Sequence, residues 1–176
     1  REQWLTKFYK PEKHFTRDVK IGLPRALFYH EQFPFWQAFF SELGFEVVLS
    51  PRTNKTIIEK GVEGTVAESC FPIKVAHGQV INLLEREDLD YIFLPSIIAM
   101  EKDDPGYQNQ YVCPYVQTIP YLVNAALNID PQKFLRPIID FSKDRKVLLN
   151  SLAAFGQPFG KNKEAVDRAL EIAERT

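Results

Sequence analysis

Residues 19–50, VKIGLPRALFYHEQFPFWQAFFSELGFEVVLS, contain a complete strand–helix–strand unit. The apolar runs VKIGL (19–23) and FEVVLS (45–50) predict two strands. The segment between them carries large apolar residues at helical spacing, namely Trp36, Phe39, Phe40 and Leu43. Pro34 suits the first turn of that helix, and Gly44 suits its end. A unit of this kind predicts two parallel strands joined by a right-handed crossover.

The alternation of strands and helices continues beyond this unit. The next segments predict a helix at TIIEK (56–60), a minimal strand at TVA (65–67), a helix at PIKVAHGQVINLLE (72–85) and a buried strand at DYIFLP (90–95). Thr53 or Asn54 can cap the first of these helices, and Gly61 can end it. We therefore expect a three-layer α/β fold with a flavodoxin-like parallel sheet of about four strands.

The sequence divides into three predicted parts. Residues 1–18 form a locally basic arm, and residues 19–127 form the α/β domain that carries both cysteines. Residues 128–176 have apolar spacing but no strand signal, and predict a helical extension that leads to or packs on a second domain outside this chain. The chain begins with Arg1 and not with methionine, so we expect it to be a piece of a longer protein.

Composition limits the function classes. The 176 residues carry 22 basic and 23 acidic side chains, which leaves no overall positive field for nucleic acid or an anionic membrane surface. No apolar run approaches the roughly 20 residues that span a bilayer, and no signal peptide is recognisable. Two cysteines are too few for a disulfide framework. These features predict a cytoplasmic protein that binds neither nucleic acid nor membrane.

Both cysteines lie directly before a proline that suits a helix start. Cys70 lies in ESCFPIKVAHG (68–78) and Cys113 in YVCPYVQ (111–117). The strand predictions bring both to the carboxyl edge of the sheet, where ligands gather in open parallel sheets. A thiol at a helix N-terminus faces unpaired N–H groups and the positive end of the helix dipole, which favour the thiolate. Pro120 leaves open whether the second helix begins at Pro114 or later.

Four interpretations of the cysteine pair remain open from the residues alone. They are two buried inert thiols, a disulfide, a zinc site with His77, or an iron–sulfur site completed by ligands from elsewhere. Lys74 and His77 share a helix face and can surround a thiolate with positive charge. Gly78 inside a helix indicates close backbone approach. Arg25 after the first strand is a candidate for binding an anion.

Other kinds of site are not supported by the sequence. GLPRAL (22–27) has one glycine where a dinucleotide-binding loop needs three, and no Ser/His/Asp arrangement stands out. Tyr111, Tyr115 and Tyr121 are most simply packing residues. The sequence therefore does not decide whether the protein is an enzyme, and catalytic residues stay unknown.

Several motifs together resemble one family. IGLPRALFYHEQFPFWQAFFSELGFEVVLSP (21–51), ESCFPIKVAHG (68–78), DYIFLPS (90–96) and CPYVQTIPY (113–121) resemble the acyl-CoA dehydratase activase-related family. Its domains occur alone or fused to ATP-dependent activases, and many have no known function. They are distantly similar to subunits of 2-hydroxyacyl-CoA dehydratases and to double-cubane-cluster proteins. The resemblance covers roughly residues 19–127.

The resemblance implies a cofactor and a partner. Dehydratase-type subunits hold an iron–sulfur cluster through three cysteines, and an ATP-hydrolysing activase supplies it with one electron at low potential. Cys70 and Cys113 match positions of cluster ligands, and a [4Fe–4S] type cluster is implied. Glu68, Lys74 and His77 would surround the cluster and tune its potential. A third cysteine is absent, so further ligands would come from a second α/β domain or from a homodimer. The activase nucleotide site is also absent, so ATP hydrolysis is not predicted here.

Two other classes of function compete with cluster binding. In the first, the domain is a non-catalytic interaction or regulatory domain that docks an activase, and its cysteines are structural. In the second, the edge near Arg25 binds an anionic group of a small molecule, such as a CoA phosphate.

Overall fold

The structure is a computed structural model that describes residues 19–101, 110–156 and 159–176. The strands in these ranges are β1 (Lys20–Leu23), β2 (Glu46–Leu49), β3 (Tyr91–Phe93), β4 (Ser96–Ile97), β5 (Phe134–Leu135) and β6 (Ile138–Ile139). The helices are α1 (Tyr29–Glu42), α2 (Lys55–Glu63), α3 (Phe71–Leu84), α4 (Pro114–Leu127), α5 (Arg145–Gly156) and α6 (Lys163–Glu174). The predicted arm, residues 1–18, lies outside the described residues.

The central sheet has four parallel strands in the order β2-β1-β3-β5. The chain starts in the middle of the sheet, adds β2 on one side and then crosses back to add β3 on the other. This order is that of a flavodoxin-like sheet, with a switch point between β1 and β3. The structure confirms the predicted α/β fold class with a parallel sheet of four strands.

A second pair of parallel strands, β4 and β6, continues the pairing of β3 with β5. The register is the same on both sides of the junction: Phe93 is opposite Leu135, and Ser96 is opposite Ile138. A regular row of backbone N–H groups from the β3–β4 segment donates to the carbonyls of the β5–β6 segment, from Ile92, Leu94, Ser96 and Ile98 to Lys133, Leu135, Pro137 and Ile139. Pro137 has no N–H to return, which explains the interruption of the strand pairing there.

Helices cover both faces of the sheet. On one face, α1, α5 and α6 pack around Trp36 and Phe40, which are almost fully buried together with Leu170 of α6. On the other face, α3 and α4 bury Val80 and Val123 against the sheet. Each cluster fills the space between the sheet and the helices on one of its faces, which gives a three-layer fold.

Helices α2 and α3 cross at two glycines. An added Cβ at Gly61 would lie 1.9 Å from the carbonyl oxygen of Lys74, and one at Gly78 would lie 1.9 Å from that of Ile57. The backbones therefore touch directly, as the sequence indicated for Gly78. Gly61 is a contact residue inside α2 and not its end, because the helix continues to Glu63.

Several predicted element boundaries are wrong. Residues 65–67 are not a strand, and Val66 is 83% exposed there. Helix α1 begins at Tyr29, so Pro34 lies inside it. The expectation that no strand follows residue 128 is also wrong, because β5 and β6 lie in that part of the chain. Its residues thus complete the sheet, while the division of the chain into domains stays a prediction.

None of the helices in the described ranges is long and apolar enough to cross a membrane.

Candidate functional site

Each cysteine is the N-cap of a long helix. Cys70 precedes α3, and its carbonyl accepts from the N–H groups of Ile73 and Lys74 at 3.0 and 3.2 Å. Cys113 precedes α4, and its carbonyl accepts from Val116 and Gln117 at 2.8 and 3.0 Å. Helix α4 therefore begins at Pro114, and Pro120 lies within it. In neither case does the thiol cap the helix with a hydrogen bond, so both sulfur atoms are available to other groups.

The fold brings the two helix starts to the same end of the same layer. Helix α3 leads into β3, and α4 leads from the β3–β4 segment to β5, so both N-termini lie at the carboxyl edge of the sheet. The two helices pack on each other over one face. Axes of packed neighbouring helices are about 8–10 Å apart. Cys70 and Cys113 therefore belong to adjacent helix starts, as the topology predicted.

A short backbone bridge fixes the approach to Cys113. Val112 donates its N–H to the Ile98 carbonyl at 3.1 Å, next to an antiparallel bridge between Ala99 and Tyr111. The Gln117 side chain donates back to the Val112 carbonyl at 2.8 Å. The residue before Cys113 is thus bonded both to the end of the β4 segment and to the first turn of α4.

Both cysteines are exposed and free. Exposure excludes the interpretation as two buried inert thiols. The disulfide interpretation is not supported either, since no bond joins the two sulfur atoms. What remains is a pair of accessible thiols at one edge of the fold.

Charged and polar residues surround Cys70. Glu68 and Lys74 form an ion pair at 2.6 Å, and the Glu68 side chain is 89% exposed. The ion pair joins residues on either side of Cys70 in the sequence, so the positive charge of Lys74 is balanced by the carboxylate of Glu68. His77 is buried, and its Nδ1 contacts the Ile73 carbonyl at 2.9 Å. Since a carbonyl only accepts, Nδ1 carries the hydrogen. That these three residues tune a cofactor stays a prediction.

A cleft of about 430 Å³, here called the α3–α4 cleft, opens beside the cysteines. It is lined by residues 65–69, by Ile73 and His77 of α3, and by four residues of α4, namely Tyr115, Leu122, Ala125 and Ala126. Its walls include the residue before Cys70 and the second residue after Cys113. The cleft therefore runs from the first half of α3 along the length of α4, from its first turn to its last.

Exposed apolar side chains also lie close to the cysteines in the sequence. We call this set the cysteine rim: Val66, Phe71, Tyr111 and Tyr115, which are 83%, 56%, 64% and 46% exposed. Tyr111, Tyr115 and Tyr121, which the sequence suggested as packing residues, are 64%, 46% and 44% exposed, and the Arg136 guanidinium lies over the Tyr121 ring. All three tyrosines lie within eight residues of Cys113, and this closeness was the signal in the sequence that they share a surface with it.

A family model matches this chain over residues 20–176, the model of the CoA enzyme activase uncharacterised domain (DUF2229). The chain belongs to this family. The match confirms the resemblance found in the sequence and extends it over β5, β6 and the last two helices. No curated protein and no solved structure matches the chain.

In this activase-related domain, Arg25 is part of the sheet edge. Its backbone N–H donates to the Ser50 hydroxyl at 2.8 Å, and its Nε donates to the Ser50 carbonyl at 2.7 Å. The guanidinium also lies over the Tyr29 ring. These contacts join the ends of β1 and β2, and anion binding by Arg25 stays a prediction.

Among the residues that the structure describes, no group of three or more His, Cys, Asp or Glu side chains could hold a metal ion. The zinc site with His77 is therefore not assembled in this part of the chain. An iron–sulfur cluster is usually held by four ligands, mostly thiolates. The two thiols fit two of these positions, and the sequence contains no further cysteine.

Proposed function

We propose that this domain supplies Cys70 and Cys113 as two thiolate ligands of a [4Fe–4S] type iron–sulfur cluster in an activase-related system of ATP-driven, low-potential electron transfer. The observation that carries the proposal is the pairing of two exposed, free thiols at the starts of adjacent packed helices. When bound, such a cluster supplies one-electron transfer. The remaining ligands come from another domain, another chain or a non-cysteine group.

The local structure around each cysteine supports such a site. Cys70 and Cys113 directly precede the N-terminal ends of α3 and α4, where a helix leaves backbone N–H groups unpaired and carries the positive end of its dipole. Glu68 and Lys74 add a neutral ion pair beside Cys70. His77 adds a buried imidazole one turn further along α3. An ATP-dependent activase-type protein or domain is the proposed electron donor.

The test is anaerobic reconstitution with iron and sulfide, followed by measurement of iron, acid-labile sulfide and visible absorption. We expect C70S and C113S each to lose most of the bound iron and the broad visible band. Phe71→Tyr and Tyr111→Phe are matched controls, because they alter exposed neighbours of the cysteines without removing a thiol. Both controls should keep wild-type iron content.

Thiol alkylation gives a second readout that does not depend on electron transfer. Cys70 and Cys113 should react readily in the apoprotein and should both become protected once iron and sulfide are bound. Wild-type iron content in both serine variants would contradict the proposal. So would alkylation of both thiols at the apoprotein rate in the iron-loaded sample.

A second function is favoured by the cysteine rim. Exposed apolar residues around a site are typical of protein interaction surfaces. In this alternative the domain docks an activase and the cysteines are not ligands. A Phe71→Ser/Tyr111→Ser variant would then lose binding to the ATP-dependent activase, while C70S and C113S would keep it. Loss of iron in C70S and C113S would favour cluster binding over this docking function.

A further inference from the structure

The α3–α4 cleft has the size and lining of a small-molecule site. Its volume of about 430 Å³ falls in the range of about 300–1,000 Å³ that is usual for such sites. Ile73, Leu122, Ala125 and Ala126 give it apolar walls, and Tyr115 adds an aromatic ring. Predominantly apolar walls with few polar groups are typical of pockets that bind small organic molecules.

The charges around the cleft select the class of ligand. No lysine or arginine is among the described residues that line it. The carboxylate in its wall, Glu68, is 89% exposed and paired with Lys74, so it lies at the rim. A buried net charge on the ligand would have no partner and would be costly. The lining therefore fits a neutral molecule.

His77 gives the cleft a specific hydrogen-bonding group. Because Nδ1 donates to the Ile73 carbonyl, the neutral ring has an unprotonated Nε2, which is an acceptor. Nε2 has no hydrogen-bond partner among the residues that the structure describes. A polar atom without a protein partner usually bonds to water or to a ligand.

Ser69 adds a second unpaired group to the same wall. Its hydroxyl is buried and has no partner in the described ranges of the chain. It belongs to the loop that lines the cleft directly before Cys70. The cleft thus combines apolar walls with two polar groups that lack protein partners.

We propose that the α3–α4 cleft binds a neutral, mostly apolar small molecule, of the class of aromatic alcohols, that donates a hydrogen bond to Nε2 of His77. No thiol lines this site, but it shares Glu68 and His77 with the surroundings of the proposed cluster. Its occupant would nevertheless lie beside both cysteines, because Ser69 and Tyr115 form part of its walls.

The test compares phenol with anisole, which has a similar apolar body but no hydroxyl donor. Both are titrated into the full chain with reduced thiols, and amide chemical shifts are followed by NMR. We expect phenol to bind about fivefold more tightly than anisole, the effect of one net hydrogen bond. The shifts should be confined to residues 65–77 and 115–126.

Two variants locate the site. Ala126→Phe fills the cleft and should abolish binding of both probes, whereas Ala154→Phe places the same ring on the exposed face of α5 and should leave binding unchanged. His77→Leu should remove the preference for phenol while keeping apolar binding.

Three results would overturn the proposal: no binding of phenol, equal affinity for phenol and anisole in the wild type, or unchanged binding in a folded Ala126→Phe variant. The comparison of the two probes uses the wild-type chain, so a variant that fails to fold does not remove the test.

Discussion

Replacing Gly78 with alanine should destabilise the protein, although alanine is the better helix former by about 1 kcal/mol. The new Cβ would lie 1.9 Å from the Ile57 carbonyl oxygen and 3.0 Å from the Gly61 nitrogen. Real Cβ contacts essentially never fall below 3.0 Å, so α2 and α3 have to separate by about 1 Å. Both obstacles are backbone atoms, which cannot rotate away as a side chain can.

The magnitude follows from these opposing effects. Overpacking costs about 1–3 kcal/mol, and rigid backbone obstacles place Gly78→Ala near the upper end. After subtraction of the gain in helix propensity, we expect a net loss of about 2 kcal/mol. With a urea slope of about 2 kcal/mol/M, the unfolding midpoint should fall by about 1 M. Far-UV circular dichroism during a urea titration measures this shift.

Gly64→Ala is the matched control. Its Cβ would meet the tip of the flexible Ile81 side chain at 2.5 Å, which can move aside, and Gly64 has a right-handed helical backbone. The control should therefore cost clearly less than Gly78→Ala. Gly61→Ala should cost about as much as Gly78→Ala, and the double variant should cost less than the sum, because one separation of the helices relieves both contacts. An unchanged or higher midpoint for Gly78→Ala would refute the reasoning.

Three further predictions concern acid stability, capping and cooperativity. The hydrogen bonds from Arg86 lower the pKa of Asp88 from 3.8 to about 2, so this carboxylate favours the folded state above about pH 4, and its contribution is lost as the pH falls to about 2. The wild type and Asp88→Asn should therefore differ in urea midpoint at pH 7 and converge at pH 2; a constant difference would contradict this. Asn162→Ala removes the cap that accepts from the Ala165 N–H and should cost about 1 kcal/mol in urea unfolding. Leu170→Ala should cost about 2–5 kcal/mol in a single transition seen alike by tryptophan fluorescence and circular dichroism, since Leu170 and Trp36 lie in one core; two separate transitions would show that the C-terminal helices fold independently.

The sequence predicted the parts of the fold that have long periodic signals. Helices α1 and α3 and strands β1, β2 and β3 were found because apolar spacing persists over several residues. The strands β5 and β6 have two residues each and are separated by Arg136 and Pro137, so no periodicity can develop. Their partners across the sheet define them, and those contacts are not visible in local sequence.

The same distinction applies to Gly61 and Val66. Gly61 was predicted to end a helix because glycine often does so, but its use is the contact with α3, which lies 13 residues away at Lys74. The β-branched residues of TVA suggested a strand, yet residues 65–67 pair with no strand in the described ranges, and Val66 is exposed. At Gly61, the contact with α3 overrides the local preference for a helix end. At residues 65–67, the local preference for a strand is not supported by pairing with another strand in the described ranges.

For the candidate site, the sequence predicted the two cysteines and their shared edge, since topology alone places them there. It did not predict the α3–α4 cleft. The cleft depends on how the loop of residues 65–69 lies against α4, and in particular on Ala125 and Ala126, whose small side chains leave the space open. Such a space arises from packing between segments more than 50 positions apart and leaves no local pattern.

The continuous row of backbone hydrogen bonds through β3 and β4 also fixes the position of the backbone next to Cys113. It extends from the middle of the sheet to Ile98, whose carbonyl holds Val112 directly before Cys113. Cys70 is held comparably, by a helix whose backbone touches α2 at Gly78. The backbone at both cysteines is thus held in place by the fold. Under the proposed function, the conformational entropy of bringing these two residues to one edge is lost when the chain folds and not when a cluster binds.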